Sequence, residues 1–386
     1  MSEAEARETA NADESHPARS AASARGAAVE HHAGPRLGLI VPCRNEARVI
    51  GRKLRNLALA RWPSCARPHR LLILDDHSAD DTAERARALC EQLFAARASE
   101  IHAEVLVNAH DPGKVGALNT ALETLGDDVD LVVLTDADVL IDEHALTELS
   151  DFLAQRPALG MACARQQFAE TLGEDGRALA PGRLALTDAA GTYDRLTAAV
   201  RAWESRGGRL FSVHGQLLAW RASLGLRPTP GIAADDLELM LGVRAAGLGV
   251  ALAPGAVFVE EKPPAGAGRR TQEIRRARAY VQIAPRFRAS PGSGLLTRLQ
   301  FAAYRYLPLN APWLLPVVAL LGPSLLIFGL RSFTGLVIGN LLALAVIVFL
   351  WSPAGRKAVR LLTIISTARR MQAMGELSDR WEMPRP

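Results

Sequence analysis

Cysteine is scarce, and the four residues present, Cys43, Cys65, Cys90 and Cys163, show no paired ligand spacing. A thiolate metal site and a disulfide framework therefore find no support, and the thiols are expected to be reduced, in the core or at the surface of a cytosolic domain. No signal-type apolar stretch opens the chain: residues 1–35 are Ala-rich with mixed charge and are expected to be disordered. Charge is missing altogether from Leu307 to Leu330 and from Ser332 to Trp351. Each run is long enough to cross a hydrocarbon core, so a transmembrane hairpin is expected over 307–351, a buried helical hairpin being the alternative. Pro308, Pro312, Pro316 and Pro323 make the first span the weaker one, because each removes a helix hydrogen bond. Arg286, Arg288, Arg298 and Arg305 precede the pair and Arg356, Lys357 and Arg360 follow it, which puts both ends in the cytoplasm.

What is present is a globular composition of 386 residues with a net charge of +4. Arginines crowd before the first span, where Arg269, Arg270, Arg275, Arg276, Arg278, Arg286 and Arg288 face only Glu273. No aromatic platform interleaves with them, so anionic lipid or a phosphorylated substrate explains the run better than nucleic acid, with a solvated helix face as the alternative. The stretch Leu131–Asp138 carries the most chemistry. Its apolar start, too short for a helix, reads as a buried parallel strand that ends in Asp136 and Asp138. At that end of a central strand two carboxylates can hold a hard cation such as Mg2+, or one of them can cap the following segment.

The rest of the chain supplies strand ends of the same kind. Leu37 to Val41 read as a strand broken by Pro42, with Asn45 capping an amphipathic helix that buries Val49, Ile50, Leu54, Leu57 and Leu59. Leu71 to Leu74 form a second strand that exits into Asp75 and Asp76, and Ser78 with Asp81 resembles a capping box for a helix through about Ala96. A third strand, Glu104 to Asn108, leads to Lys114 at a helix start beside Gly113. A lysine there can meet a phosphate with help from the helix dipole, or stand solvated; without the remaining P-loop residues, an ATPase is excluded. Asp142 is expected to cap the helix after the fourth strand. Such units imply an α/β protein with a parallel, doubly wound sheet.

Gln166 to Gly208 then read as an irregular insertion with a helical pattern through Trp203, suited to acceptor binding. Phe211 to Arg221 return to strand character, and His214 reads as a hydrogen-bonded structural histidine or a group near the metal. Asp235 and Asp236 open a helix that stops at Gly247. Capping explains either acid, yet two like charges at one site raise the proton affinity of one, which helps a general base.

Five motifs, Pro42-Cys-Arg-Asn-Glu46, Asp75-Asp76, Gly113-Lys114 with Ala117-Leu-Asn119, Asp136-Ala-Asp138 and Asp235-Asp236, occur in the order seen in family 2 glycosyltransferases, over roughly residues 36–290. The resemblance implies a GT-A fold with a mostly parallel sheet flanked by helices, a nucleotide-diphosphate sugar donor, foremost a UDP-sugar, a divalent metal (Mg2+ or Mn2+) and inversion at the anomeric centre. It also implies that Pro42 and Glu46 line the base pocket, that one or both of Asp75 and Asp76 hold the uracil or ribose, and that Lys114 lies by the phosphates. Asp138 with Asp136 would hold the metal. Asp236 would be the catalytic base and Asp235, where the family carries Glu, its positioning neighbour. Processive members carry Gln-x-x-Arg-Trp before the membrane; here Gln272 and Arg275 match and could reach acceptor and diphosphate, but Arg276 replaces the Trp.

The expected organisation is a GT-A domain over 36–268, basic interfacial helices over 269–306, the hairpin, and a cytosolic amphipathic tail over 352–386. The expected activity is transfer of one sugar to a lipid or lipid-linked acceptor at the inner (plasma) membrane. A processive polysaccharide synthase and a non-catalytic scaffold of the same fold are the alternatives.

Overall fold

The computed structural model describes residues 34–178, 192–261, 267–310 and 352–374, together with 334, 337–341 and 344. Its strands are β1 (Leu37–Cys43), β2 (His69–Asp75), β3 (Ile101–Val107), β4 (Leu131–Thr135), β5 (Leu140–Ile141), β6 (Leu159–Ala169), β7 (Leu217–Arg221) and β8 (Gly249–Glu261). The helices are α1 (Ile50–Leu59), α2 (Thr82–Phe94), α3 (Lys114–Leu125), α4 (Ala145–Ala154), α5 (Thr192–Arg206), α6 (Asp235–Ala245) and α7 (Ala267–Ile283). All eight strands join one sheet in the order β3-β2-β1-β4-β7-β6-β8-β5. β1 to β4 run parallel, β7 is antiparallel to both β4 and β6, β6 and β8 run parallel, and β5 pairs antiparallel with β8.

The pleat divides the apolar residues of the central strands between two cores. Leu39, Leu71, Ile73, Leu131 and Val133 pack with α1 and α2 on one face, whereas Ile40, Leu72, Leu74, Val132 and Leu134 pack with α3 and α6 on the other. Burial on both faces explains why these strands read as continuous apolar runs rather than as alternating ones. Each fully buried Leu or Val contributes about 1.5–3 kcal/mol, so the sheet centre is the stiffest place from which to hold a site.

Several local expectations give way to different contacts. β1 runs through Pro42, which the sheet tolerates because the ladder to β4 ends at Ile40. Asn45 does not cap α1; it adopts a left-handed backbone (φ 53°), and its side-chain oxygen accepts from the Ala79 N–H at 2.8 Å. The Ser78 capping box is likewise absent: the Ser78 hydroxyl accepts from the Asn45 N–H, and Asp80 accepts from the Thr82 N–H at the start of α2. Both exchanges tie the β1 and β2 exits together. Asp142 does serve the entry to α4, accepting from the His144 N–H at 3.0 Å.

β7 and α5 fall on the expected strand stretch Phe211–Arg221 and the expected helical pattern through Trp203, whereas β5, β6 and β8 are what the sequence reading missed. β6 covers the start of the stretch taken as irregular, with α5 at its end, and β8 is a full strand behind α6. α6 stops as expected at Gly247 (φ 79°), with the Leu248 N–H returning to the Val243 carbonyl and the Gly247 N–H to that of Arg244. The helix at residues 295–310 docks through Glu204, a buried carboxylate that accepts from Gln300 Nε2 at 2.7 Å, the Tyr304 hydroxyl at 2.9 Å and the Phe211 N–H at 3.1 Å. A C-terminal helix, Pro353–Ala373, packs on α7, where Arg360 pairs with Glu273 at 2.8 Å. The segment expected to be disordered and the expected hairpin lie almost wholly outside the described residues; among those described, no helix is long and apolar enough to cross a membrane.

Gly116, one turn into α3, shows how tightly the Lys114 loop is set. A Cβ there would overlap the Asp111 carbonyl oxygen, a backbone atom, and come within 2.9 Å of the Asn108 amide nitrogen. Gly116→Ala is expected to destabilise the protein by about 1–3 kcal/mol in urea denaturation, despite the higher helix propensity of Ala. A stabilised variant would mean that the loop has slack.

Candidate active site

A cleft of about 530 Å³ opens at the carboxyl ends of β1 and β4. Pro42 and Glu46 reach it from the β1 exit, Lys114 from the start of α3, Asp136 and Asp138 from the β4 exit, Asp235 and Asp236 from the first turn of α6, and Arg275 from α7. Eight sequence-predicted residues thus meet in one place although they are spread over more than half the chain. Gly215 sits above the acids. A Cβ on it would lie 3.7 Å from both Asp236 Oδ2 and Lys114 Nζ, so a side chain here would fill space that glycine leaves open.

The electrostatic centre is Lys114. Its Nζ donates to Asp136 Oδ1 at 2.8 Å and lies 3.6 Å from Asp235 Oδ2. Burial alone would push the ammonium down, but Asp136 and Asp235 outweigh it and hold Lys114 well above its ordinary value. Asp235 Oδ2 is buried without a hydrogen-bond donor and relies on this ion pair. Burial, then the Asp235 charge, push the Asp236 carboxyl up to about 6 against the pull of Lys114. A carboxylate of that proton affinity is suited to taking a proton near neutral pH.

Asp75 and Asp76 are not among the residues lining the cleft. The fully buried Asp76 accepts from Asn108 Nδ2 at 2.7 Å, the Gly113 N–H at 3.0 Å and the Arg44 guanidinium at 3.1 Å, welding the exits of β1 and β3 to the start of α3. Asp75 accepts from the Ser78 N–H at 3.3 Å, and its other oxygen, Oδ1, is buried with no hydrogen-bond partner. Gln272 lies on α7, its side chain outside the described portion. His214 lines the cleft, but its ring bonds the Arg201 guanidinium and its backbone N–H donates to Cys163 Sγ at 3.2 Å. Burial and Arg201 push the imidazole down to about 3, so it stays neutral, as a structural histidine would.

Residues passed over by the sequence reading complete the site. Glu260, at the end of β8, lines the cleft, accepts from Gln166 Nε2 and has its carboxyl pushed up by burial and then by Asp138. Nothing in the local sequence singled it out, because β8 itself was missed. Arg276, named in the sequence reading but given no role at the site, also lines the cleft. Lys53 of α1 is fully buried beneath the Asp136–Asp138 loop; its Nζ donates to Thr135 Oγ1 at 2.7 Å and to the Val139 carbonyl at 3.0 Å. One ammonium thereby clamps the two ends of that loop. Thr135 Oγ1 in turn donates to the Gln216 carbonyl at 2.9 Å, and Asn56 Nδ2 holds the Ile141 carbonyl at 2.8 Å.

The acids suit a hard cation by their chemistry. Asp136 and Asp138 offer carboxylate oxygens, and Glu260, its carboxyl raised by burial and then by Asp138, lines the same cleft. Among the described residues no cluster of three or more ligating side chains forms a cage.

Burial pushes the Lys53 ammonium down to about 7, with Asp136 and Asp138 opposing it. From about pH 7 to its ordinary value near 10.5, the unfolded chain binds the proton that the folded protein releases, so this residue makes stability rise with pH across that window. In urea denaturation of metal-free protein, Lys53→Met is expected to remove that rise. The same pH dependence in variant and parent would show that Lys53 does not carry it.

No curated protein matches the chain in sequence. Among solved structures, the mannosyltransferase PcManGT from Pyrobaculum calidifontis, in complex with GDP-Man and Mn2+, has a TM-score of 0.64 at 22% identity, over 89% of this chain and 88% of its own. TarS from S. aureus in complex with UDP-GlcNAc has a TM-score of 0.44 at 13% identity, over 88% of this chain and 92% of its own. The first likeness is one of fold and the second is too distant to add to it. The family described as Glycosyltransferase like family 2 matches residues 35–279, from the entry to β1 into α7, and so takes in both the sheet and the cleft at its strand ends. By that match, the chain belongs to the family 2 glycosyltransferases.

Proposed function

We propose that the protein moves one sugar from a nucleoside-diphosphate sugar to a lipid or lipid-linked hydroxyl at the cytoplasmic face of a membrane, with inversion. The observation that carries the reading is the meeting of Lys114, Asp136, Asp138, Asp235 and Asp236 in one cleft, with Asp236 raised to about 6. Asp236 takes the acceptor hydroxyl's proton as that oxygen bonds to the anomeric carbon. The bond from that carbon to the diphosphate oxygen breaks on the opposite face, and the nucleoside diphosphate leaves with the electron pair. Asp235, paired with Lys114, keeps Asp236 basic, and Lys114 brings positive charge to the phosphate end of the cleft. Asp136 and Asp138 would hold a divalent cation, which when bound supplies further positive charge to the leaving group.

Pro42 and Glu46 suit the base end of the donor. Of the two acids after β2, Asp75 is the better partner for a ribose or base donor, because its Oδ1 is unsatisfied whereas Asp76 is engaged by three donors. The mannosyltransferase of the same fold was solved with GDP-Man and Mn2+, which keeps GDP-linked sugars beside UDP-linked ones as donors. At the acceptor end, Arg275 and Arg276 replace the Arg-Trp pair of polymer-forming relatives, and this favours single transfer. The uncharged run from Leu307 to Leu330 and that from Ser332 to Trp351 supply the membrane part of the reading.

Asp236→Asn is expected to lower transfer by about 100-fold or more while leaving nucleotide-sugar affinity within about twofold. Near-normal turnover would remove the base assignment. Mass spectrometry of the parent enzyme's product should show one added sugar, and long chains would refute single transfer.

A further inference from the structure

α6 is the shared wall of two cavities. Asp235 to Leu237 face the catalytic cleft, while Glu238 and the residues after it line a second cavity of about 360 Å³ that has no lining residue in common with the first. Arg227, Arg244, Arg286 and Arg288 surround it, with the hydroxyls of Ser293 and Thr297. Glu238 is the one carboxylate on this wall, and it is engaged, pairing with Arg286 and accepting from the Thr229 N–H at 2.8 Å and the Thr229 hydroxyl at 2.6 Å. Arg227 and Arg288 have no carboxylate partner among the described residues. Arg244 is half-buried; burial and then Arg209 push its guanidinium down, and it donates to the Gly208 carbonyl at 3.1 Å. Four guanidinium groups surround the cavity against one occupied carboxylate on its wall, and from beyond that wall Glu204 is the carboxylate that acts on Arg244, so the cavity keeps an excess of positive charge.

The geometry points to a site for the phosphate headgroup of an anionic lipid. Planar guanidinium groups match phosphate oxygens in pairs, and the two hydroxyls can donate to those that remain. The lipid source is indicated by the helix at residues 295–310. It turns Thr297 and Phe301 into the cavity while Leu295, Leu296 and Leu299 stay 72%, 57% and 56% exposed. Apolar side chains beside a cationic pocket are what a headgroup with its acyl boundary requires, whereas a free phosphate ester has no use for them. The cavity is separate from the donor site, and the inference rests on the membrane-face reading only for where the phosphate comes from.

The test uses the full chain in neutral detergent, titrated calorimetrically with soluble dihexanoyl-phosphatidylglycerol. One saturable site is expected, with no comparable binding of dihexanoyl-phosphatidylcholine. Arg227→Gln/Arg288→Gln, a change at exposed positions, should weaken the site by about tenfold or more, while the distant pair Arg87→Gln/Arg177→Gln leaves it unchanged. Equal loss in both pairs would mean non-specific charge attraction, and no loss in the first would mean that the cavity is not the site; either result overturns the proposal. Inorganic phosphate binding as tightly as the lipid, with the same dependence on Arg227 and Arg288, would overturn the lipid source. Nucleotide-sugar turnover, measured on the same samples, reports on the catalytic reading independently.

Discussion

One ammonium group organises this protein's chemistry. Lys114 draws Asp136 from the end of β4 and Asp235 from the start of α6 into one cluster, and without it three carboxylates would face each other in a half-buried cleft. Burial raises the energetic cost of an unpaired charge, so the same desolvation that makes Asp236 basic makes Lys114 necessary. The lysine itself is placed by backbone. Asp76, at the end of β2, binds the Gly113 N–H, and Gly116 lets the preceding loop lie directly on α3.

Rigidity reaches the cluster from the sheet. β4 is buried along its whole length between β1 and β7, and its exit is fastened on one side by Lys53 and on the other by the Gln216 carbonyl. The antiparallel β7 matters here because it brings Gly215 and Gln216 back over the β4 exit, which a crossover helix would not do. α6 then presents its first turn to the cleft, and its apolar positions Leu239, Met240 and Val243 lock it onto the sheet.

The first half of the fold was legible because each strand there is a short apolar run ended by polar residues. Asp136 and Asp138 followed from such an ending and Lys114 from the helix start after another, whereas Asp235 and Asp236 were read at the start of a later helix and took their roles from the family resemblance. Helix caps were less legible: Asn45 and Ser78 have the right side chains for caps, but they spend them on each other's loops, a long-range contact that sequence spacing does not encode. β6 and β8 were missed because small residues, Gly160, Ala162 and Ala164 in β6 and Pro254 and Gly255 in β8, interrupt the run of Val, Leu and Ile that marks the other strands. Glu260 was lost with β8. Lys53 was invisible for another reason, since a lysine in an amphipathic helix ordinarily points to water, and only the fold shows it beneath the Asp136–Asp138 loop.

The central claim is that burial, with Asp235 raising and Lys114 lowering it, sets the proton affinity of Asp236. The pH dependence of kcat/KM tests it most directly, in the parent enzyme and in Lys114→Met. The base must be deprotonated, so activity is predicted to fall as pH drops through about 6. Lys114 lowers the Asp236 value, so the variant's residual activity is predicted to lose its acid limb at higher pH than the parent's. A parent limb in the ordinary carboxylate range near 4, or a limb that stays in place when Lys114 is removed, would contradict the account.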